Sequence, residues 1–243
     1  MSSPQLPSIG LVMPRSFNSE AHNNVHECLA PYKGTHFGEW MSFGIAWKGV
    51  AYRYKGALTY HQRFTQLIKV TKSPVPEDRF EQEHVLFGFF SAALSSIECY
   101  YYALYCIAAM KNSVAFPAAS PKDLRIYPVN VKDKFLAVFP NELVTAGMQS
   151  AISDPIYAEI GDIRSVLTHR GSPPRQFFQG GSHHGKAMSP SNLKDPASQW
   201  VYAFEIDGKT TASKWQWVDG RLHSLLENAD KFCRAHMGVK TAT

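Results

Sequence analysis

Arg164 and His169 lie five residues apart in the segment IRSVLTHRG, with Ser165 beside the arginine. At 100° per residue, Asp162, Ser165 and His169 fall in one helical row, spaced i, i+3, i+7. That row is almost opposite a stripe of Ile156, Ile160, Ile163 and Leu167, which must face a core. Ser165 and His169 are i,i+4 neighbours whose side chains can meet, and Arg164 stands on the border between the two rows. A histidine titrating near neutrality can take or give a proton. An arginine can grip a phosphate bidentately and stabilise charge developing on its oxygens. Together these groups suit phosphoryl transfer on RNA, a chemistry that needs no metal and no cofactor. The competing reading is electrostatic: Arg164, His169 and Arg170 close to a helix C-terminus are favoured by the dipole by about 0.3–1 kcal/mol each.

The charge distribution draws attention to the same place. The chain of 243 residues carries Lys+Arg 25 against Asp+Glu 20, a net charge of +5. No acid occurs between Asp162 and Asp195, whereas Arg164, Arg170, Arg175, Lys186 and Lys194 all fall in that interval. Five positive charges there equal the whole excess of 25 minus 20. Arg170, Arg175 and Lys186 are therefore the expected RNA- and phosphate-binding groups beyond the motif. The run Gly180 to Lys186 contains His183 and His184, but Ala187 follows the lysine, so it is no Walker loop, and a metal site is not expected there.

Glu98 is the only charge in the 26 residues from Val85 to Met110. A carboxylate in such surroundings must find a partner or have its pKa raised. It is expected either to be held in a structural contact or to reach the cleft, where pairing with Arg164 is one option. Asp162 is the other acid placed to support the site. The same glutamate argues against a membrane span, because at mid-bilayer it would cost roughly 2.5 kcal/mol or more. A buried central helix is expected instead, with Cys99 and Cys106 as small core residues and Tyr100, Tyr101, Tyr102 and Tyr105 packing around it. The four cysteines form no CxxC pair, and the first residues lack a cationic start followed by an apolar core. A cytoplasmic protein follows as the expectation.

The elements that must position these residues can be read in order. Residues 1–38 are expected to be irregular or partly disordered, and residues 39–243 to form a single domain. The aromatic run from Trp40 to Gly56 reads as packing material. A helix is expected from about Ala57 to Val70, ended by Ser73-Pro74-Val75-Pro76, and a long one from Glu77 to Asn112. Phe116 to Pro128 reads as a loop. Asn141 is placed to cap a helix to about Ser150, and Asp154-Pro155 opens the motif helix, which stops at Gly171. At about 199–217 the alternation of WVYAFEI, the Asp207-Gly208 turn and KTTASKWQW predict a β-hairpin. The last helix is expected from about Asp219 to His236. The fold class is mainly α, a helical bundle with a β-hairpin inserted before its last helix.

The segment IRSVLTHRG resembles the signature of the HEPN superfamily, an arginine followed after four to six residues by a histidine at the end of a bundle helix. The family usually has Asn, Asp or His after the arginine, whereas this chain has Ser165. The resemblance covers roughly residues 77–237 and is strongest over about ten of them. It implies a bundle of four to five helices that forms a homodimer, with the two motifs facing a shared cleft. Active members are metal-independent endoribonucleases, hydrolases that leave a 2′,3′-cyclic phosphate. By that resemblance Arg164 would bind the scissile phosphate, His169 would be the acid–base group, and Ser165 would orient the histidine or the phosphate. A toxin or defence role, with an antitoxin or nucleotidyltransferase partner, is implied in the same way. The alternative is a non-catalytic module that binds RNA, a nucleotide or a protein partner through the same surface.

Overall fold

The computed structural model describes residues 5–6, 10–70, 75–118, 126–169, 209 and 211–238. It is mainly helical. Two short antiparallel strands, β1 (Gln5–Leu6) and β2 (Leu11–Val12), pair Gln5 with Val12 and Leu6 with Leu11. Seven α-helices follow among the described residues: α1 (Ser19–Leu29), α2 (Phe37–Val70), α3 (Pro76–Lys111), α4 (Pro128–Val138), α5 (Leu143–Ile152), α6 (Pro155–His169) and α7 (Ala212–His236). A 3₁₀ turn, Ala30–Lys33, lies between α1 and α2.

The long helix around Glu98 is present, as expected, within one residue of the anticipated ends. Pro76 opens α3, and Glu77 and Asp78 occupy its first turn, where the dipole favours anions. No helix among the described residues is long and apolar enough to cross a membrane.

The chain divides into two compact units. The first contains residues 1–55, 95–157 and 218–243. Its core surrounds the C-terminal half of α3, where Tyr100, Tyr101, Ala103, Leu104, Ile107 and Ala108 are wholly buried. A helix apolar on every face must be enclosed on every side. Each buried tyrosine there has its hydroxyl satisfied. Tyr100 donates to the Leu225 carbonyl of α7 at 2.7 Å and Tyr101 to the Met148 carbonyl of α5 at 2.7 Å. Phe116, Phe135, Phe139 and Phe232 form an aromatic cluster in the same unit, with ring centroids 5.1–6.1 Å apart.

The second unit contains residues 56–94 and 158–217. Phe64, Leu86, Phe89, Phe90, Ile160 and Ile163 form its core. A Cβ on Gly88 would stand 2.6 Å from the Tyr60 ring, so only glycine allows α3 so close to that side chain of α2. The His61 ring stacks on Trp215, and its Nδ1 lies 2.8 Å from the Thr211 hydroxyl.

Several expectations need correction. Residues 19–29 are helix α1, not irregular chain: Asn18 Oδ1 accepts from Ala21 N–H at 3.1 Å, and Ala21, Val25 and Leu29 recur at i, i+4, i+8 and are buried. The aromatic run from Trp40 is part of the uninterrupted α2, and α4 stands where no element was foreseen. Glu142, not Asn141, holds the capping position of α5, and its side chain makes no capping bond.

The returning strand expected up to Trp217 is instead the first turns of α7, which begins at Ala212. Trp215, Val218, Leu222 and Leu225 continue one 3.6-residue apolar row, and this row overrides the local alternation that suggested a strand. The outgoing strand, Trp200 to Ile206, lies outside the described residues.

Candidate functional site

Helix α6 carries the candidate motif. Asp154 opens it, its Oδ1 accepting from the Ile156 backbone N–H at 3.0 Å, and Pro155 follows at the first helical position, as expected. Two ion pairs fall at and near the start of the helix. In the first unit Arg221 of α7 donates to Asp154 at 2.9 Å and to the Ser150 hydroxyl at 3.0 Å. In the second unit Lys214 pairs with Glu159 at 2.7 Å.

The buried row of α6 is Ile160, Ile163 and Val166, while Ile156 and Leu167 are only half-buried. The core stripe thus runs slightly to one side of the expected one. Asp162 and Ser165 are exposed, and Arg164 is half-buried on the border, as the helical wheel anticipates. Thr168 bonds back to the Arg164 carbonyl at 2.7 Å, so the helix is still regular at its fourth residue past the arginine.

His169 is the last helical residue. His169 stands five residues past Arg164, about 7.5 Å further along the axis of a regular helix. Arg170, Arg175 and Lys186 lie outside the described residues.

Glu98 occupies a different setting. It lines a cavity of about 470 Å³ in the first unit, whereas Arg164 belongs to the second. Ile45, Gly49 and Arg53 of α2 form one wall of the cavity, Glu98, Cys99 and Tyr102 of α3 a second. The third wall is Ile126, Tyr127 and Pro128, leading into α4. Burial pushes the Cys99 thiol up, and the nearby Arg53 guanidinium partly offsets it, so the sulfur is kept as a thiol rather than an activated nucleophile.

Sequence reasoning singled out Glu98 and missed Arg53 and Tyr127. A signal did exist, since Arg53 follows Gly49 and Ile45 at i+4 spacing and so shares a face of α2 with them. Nothing in the sequence tells which helix that face meets.

Among the described residues, His22 and His61 pack against aromatic rings. His22 stacks on Trp47 with ring centroids 4.8 Å apart; its Nε2–H donates to the Trp47 carbonyl at 3.1 Å, and Trp47 Nε1–H returns a bond to the His22 carbonyl at 3.0 Å. Burial holds the His22 ring at a pKa of about 4. Among the described residues there is no group of three His, Cys, Asp or Glu side chains arranged to hold a metal ion.

No family model matches the chain, and no curated protein or solved structure is significantly similar to it.

Proposed function

We propose that this chain is a HEPN-like, metal-independent endoribonuclease. The observation that carries the reading is the disposition of α6: an arginine half-buried at the edge of the core row, a hydroxyl exposed beside it, and a histidine at the helix terminus. The basic interval that follows, with Arg170, Arg175 and Lys186, supplies charge for a phosphate backbone.

The chemistry runs as a transesterification. His169 takes the proton of a ribose 2′-hydroxyl as that oxygen bonds to phosphorus. The bond from phosphorus to the 5′-oxygen breaks, and an imidazolium returns a proton to the leaving oxygen, leaving a 2′,3′-cyclic phosphate. Arg164 neutralises the charge that builds on the non-bridging oxygens, and Ser165 orients the imidazole or the phosphate. A homodimer would place two such motifs across one cleft and so provide both a base and an acid.

The test uses labelled single-stranded RNA in EDTA with wild type, Arg164→Ala and His169→Ala. Cleavage by wild type that both substitutions abolish, with 2′,3′-cyclic ends on the products, supports the reading. Inert wild-type protein that still binds RNA overturns the catalytic reading in favour of a non-catalytic binding module. A monomer by sedimentation would remove the shared cleft from either version.

A further inference from the structure

We propose that the cavity of the first unit binds a small apolar zwitterion, of the class of a free hydrophobic α-amino acid. The inference rests on the cavity alone and stands apart from the ribonuclease reading.

At about 470 Å³ the space lies in the range of small-ligand sites, which is about 300–1,000 Å³. Its walls are mostly apolar, from Ile45, Ile126 and Pro128, and among them stand one acid and one base, Glu98 and Arg53. Among the described residues, neither Glu98 nor Arg53 has an ion-pair partner. A half-buried carboxylate beside apolar side chains offers an incoming ammonium a charge-assisted contact.

The surroundings of Glu98 favour an ammonium. Tyr102 lies one turn along α3 from Glu98, at i,i+4, and Tyr127 stands on the adjoining wall, so a carboxylate and two aromatic rings line the same space. Arg53 is exposed, at the solvent side, where a carboxylate can meet the guanidinium while remaining partly hydrated. The space is an open cleft, since Ile45 is 70% and Tyr127 62% exposed; one acid and one base in such a cleft complement a ligand with both charges on one end and a hydrophobic body that covers the exposed apolar side chains.

Gly49 matters to the shape of this site. A Cβ at that position would stand 2.9 Å from Cys99 Sγ, so any side chain there would crowd the thiol and take up space in the cavity.

The test is isothermal titration of the full-length chain with L-phenylalanine, 3-phenylpropionate, which lacks the ammonium, and phenethylamine, which lacks the carboxylate. L-Phenylalanine should bind saturably, and each truncated ligand should bind about tenfold or more weakly, the usual worth of a hydrogen bond to a charged group. Glu98→Gln should weaken L-phenylalanine and leave 3-phenylpropionate unaffected. Arg53→Ala should weaken L-phenylalanine and leave phenethylamine unaffected. The proposal is overturned by the lack of saturable heat up to about 10 mM ligand, or by variants that bind L-phenylalanine as wild type does. Should a variant lose its helical circular dichroism, the wild-type ligand series still decides, because equal affinity for L-phenylalanine and phenethylamine contradicts the Arg53 contact.

Discussion

Polar groups are treated in opposite ways in the C-terminal half of α3 and on the outer row of α6. In α3 the hydroxyls of Tyr100 and Tyr101 are sealed in the core, and each is matched to a backbone carbonyl at 2.7 Å. On α6 Asp162 and Ser165 stand in water, on the side of the helix away from Ile160 and Ile163. A buried polar group without a partner costs about 1–3 kcal/mol, so the first arrangement is enforced by stability. Nothing of that kind constrains the second. Residues of the first kind should govern folding and those of the second should be free to govern function, a division that substitutions can break.

The largest effect is expected where an aromatic body and a polar match coincide. Trp47 is 1% exposed, stacks on His22 and exchanges two hydrogen bonds with it. Trp47→Ala should cost about 3–5 kcal/mol in urea unfolding, through the cavity it leaves and the loss of the indole N–H bond to the His22 carbonyl. A loss below about 1 kcal/mol would mean that this clasp is not part of the stabilising core.

The same clasp predicts a pH dependence. The His22 Nε2–H donates to a carbonyl, so the neutral ring leaves Nδ1 as an acceptor, and Nδ1 has no partner in the core. Protonation would add a charge and an unmatched donor there. The ring's pKa falls from 6.5 to about 4 on folding, so between those values the unfolded chain binds more protons. Stability is therefore undiminished above about pH 6.5 and falls as the pH drops towards 4, by on the order of 3 kcal/mol. His22→Gln, which cannot titrate, should flatten that part of the stability–pH curve even if its plateau is lower. An unchanged slope would place the titrating group elsewhere.

The parts of this division that were legible in the sequence are those with a long period. The enclosure of α3 follows from 26 residues with a single charge, and the two rows of α6 follow from four isoleucine and leucine positions repeating at helical spacing. The short elements were not legible. Helix α1 hides Ala21, Val25 and Leu29 among Asn and His residues, and the start of α7 alternates well enough over a few residues to imitate a strand. Its helical row shows only when Trp215 is read together with Val218, Leu222 and Leu225 further along, and the stacking of Trp215 on His61 adds a contact that no local pattern encodes. The cavity was hidden because Arg53 and Glu98 are 45 positions apart and line one space only once α2 and α3 have packed.

A smaller effect is expected from Tyr101→Phe. The ring and its burial survive and only the hydroxyl bond to the Met148 carbonyl is lost, so the cost should be about 1 kcal/mol by urea unfolding. RNA cleavage should be unchanged. A variant of normal stability with altered cleavage would show that α3 does more than hold the core.

The smallest effect on stability, and the sharpest use of the comparison, is Ser165→Ala. The side chain is exposed in the interior of a regular helix, and alanine has the higher helix propensity, so stability should change by no more than about 0.5 kcal/mol in either direction. If Ser165 orients the imidazole or the phosphate, RNA cleavage should fall by about tenfold at that unchanged stability, a loss comparable to one hydrogen bond in the transition state. A clear stability loss would mean that the outer row of α6 is packed against something and belongs with the matched polar groups of α3. Wild-type cleavage would leave Arg164 and His169 to act without the hydroxyl, and the serine would then be no more than a helix residue that water tolerates.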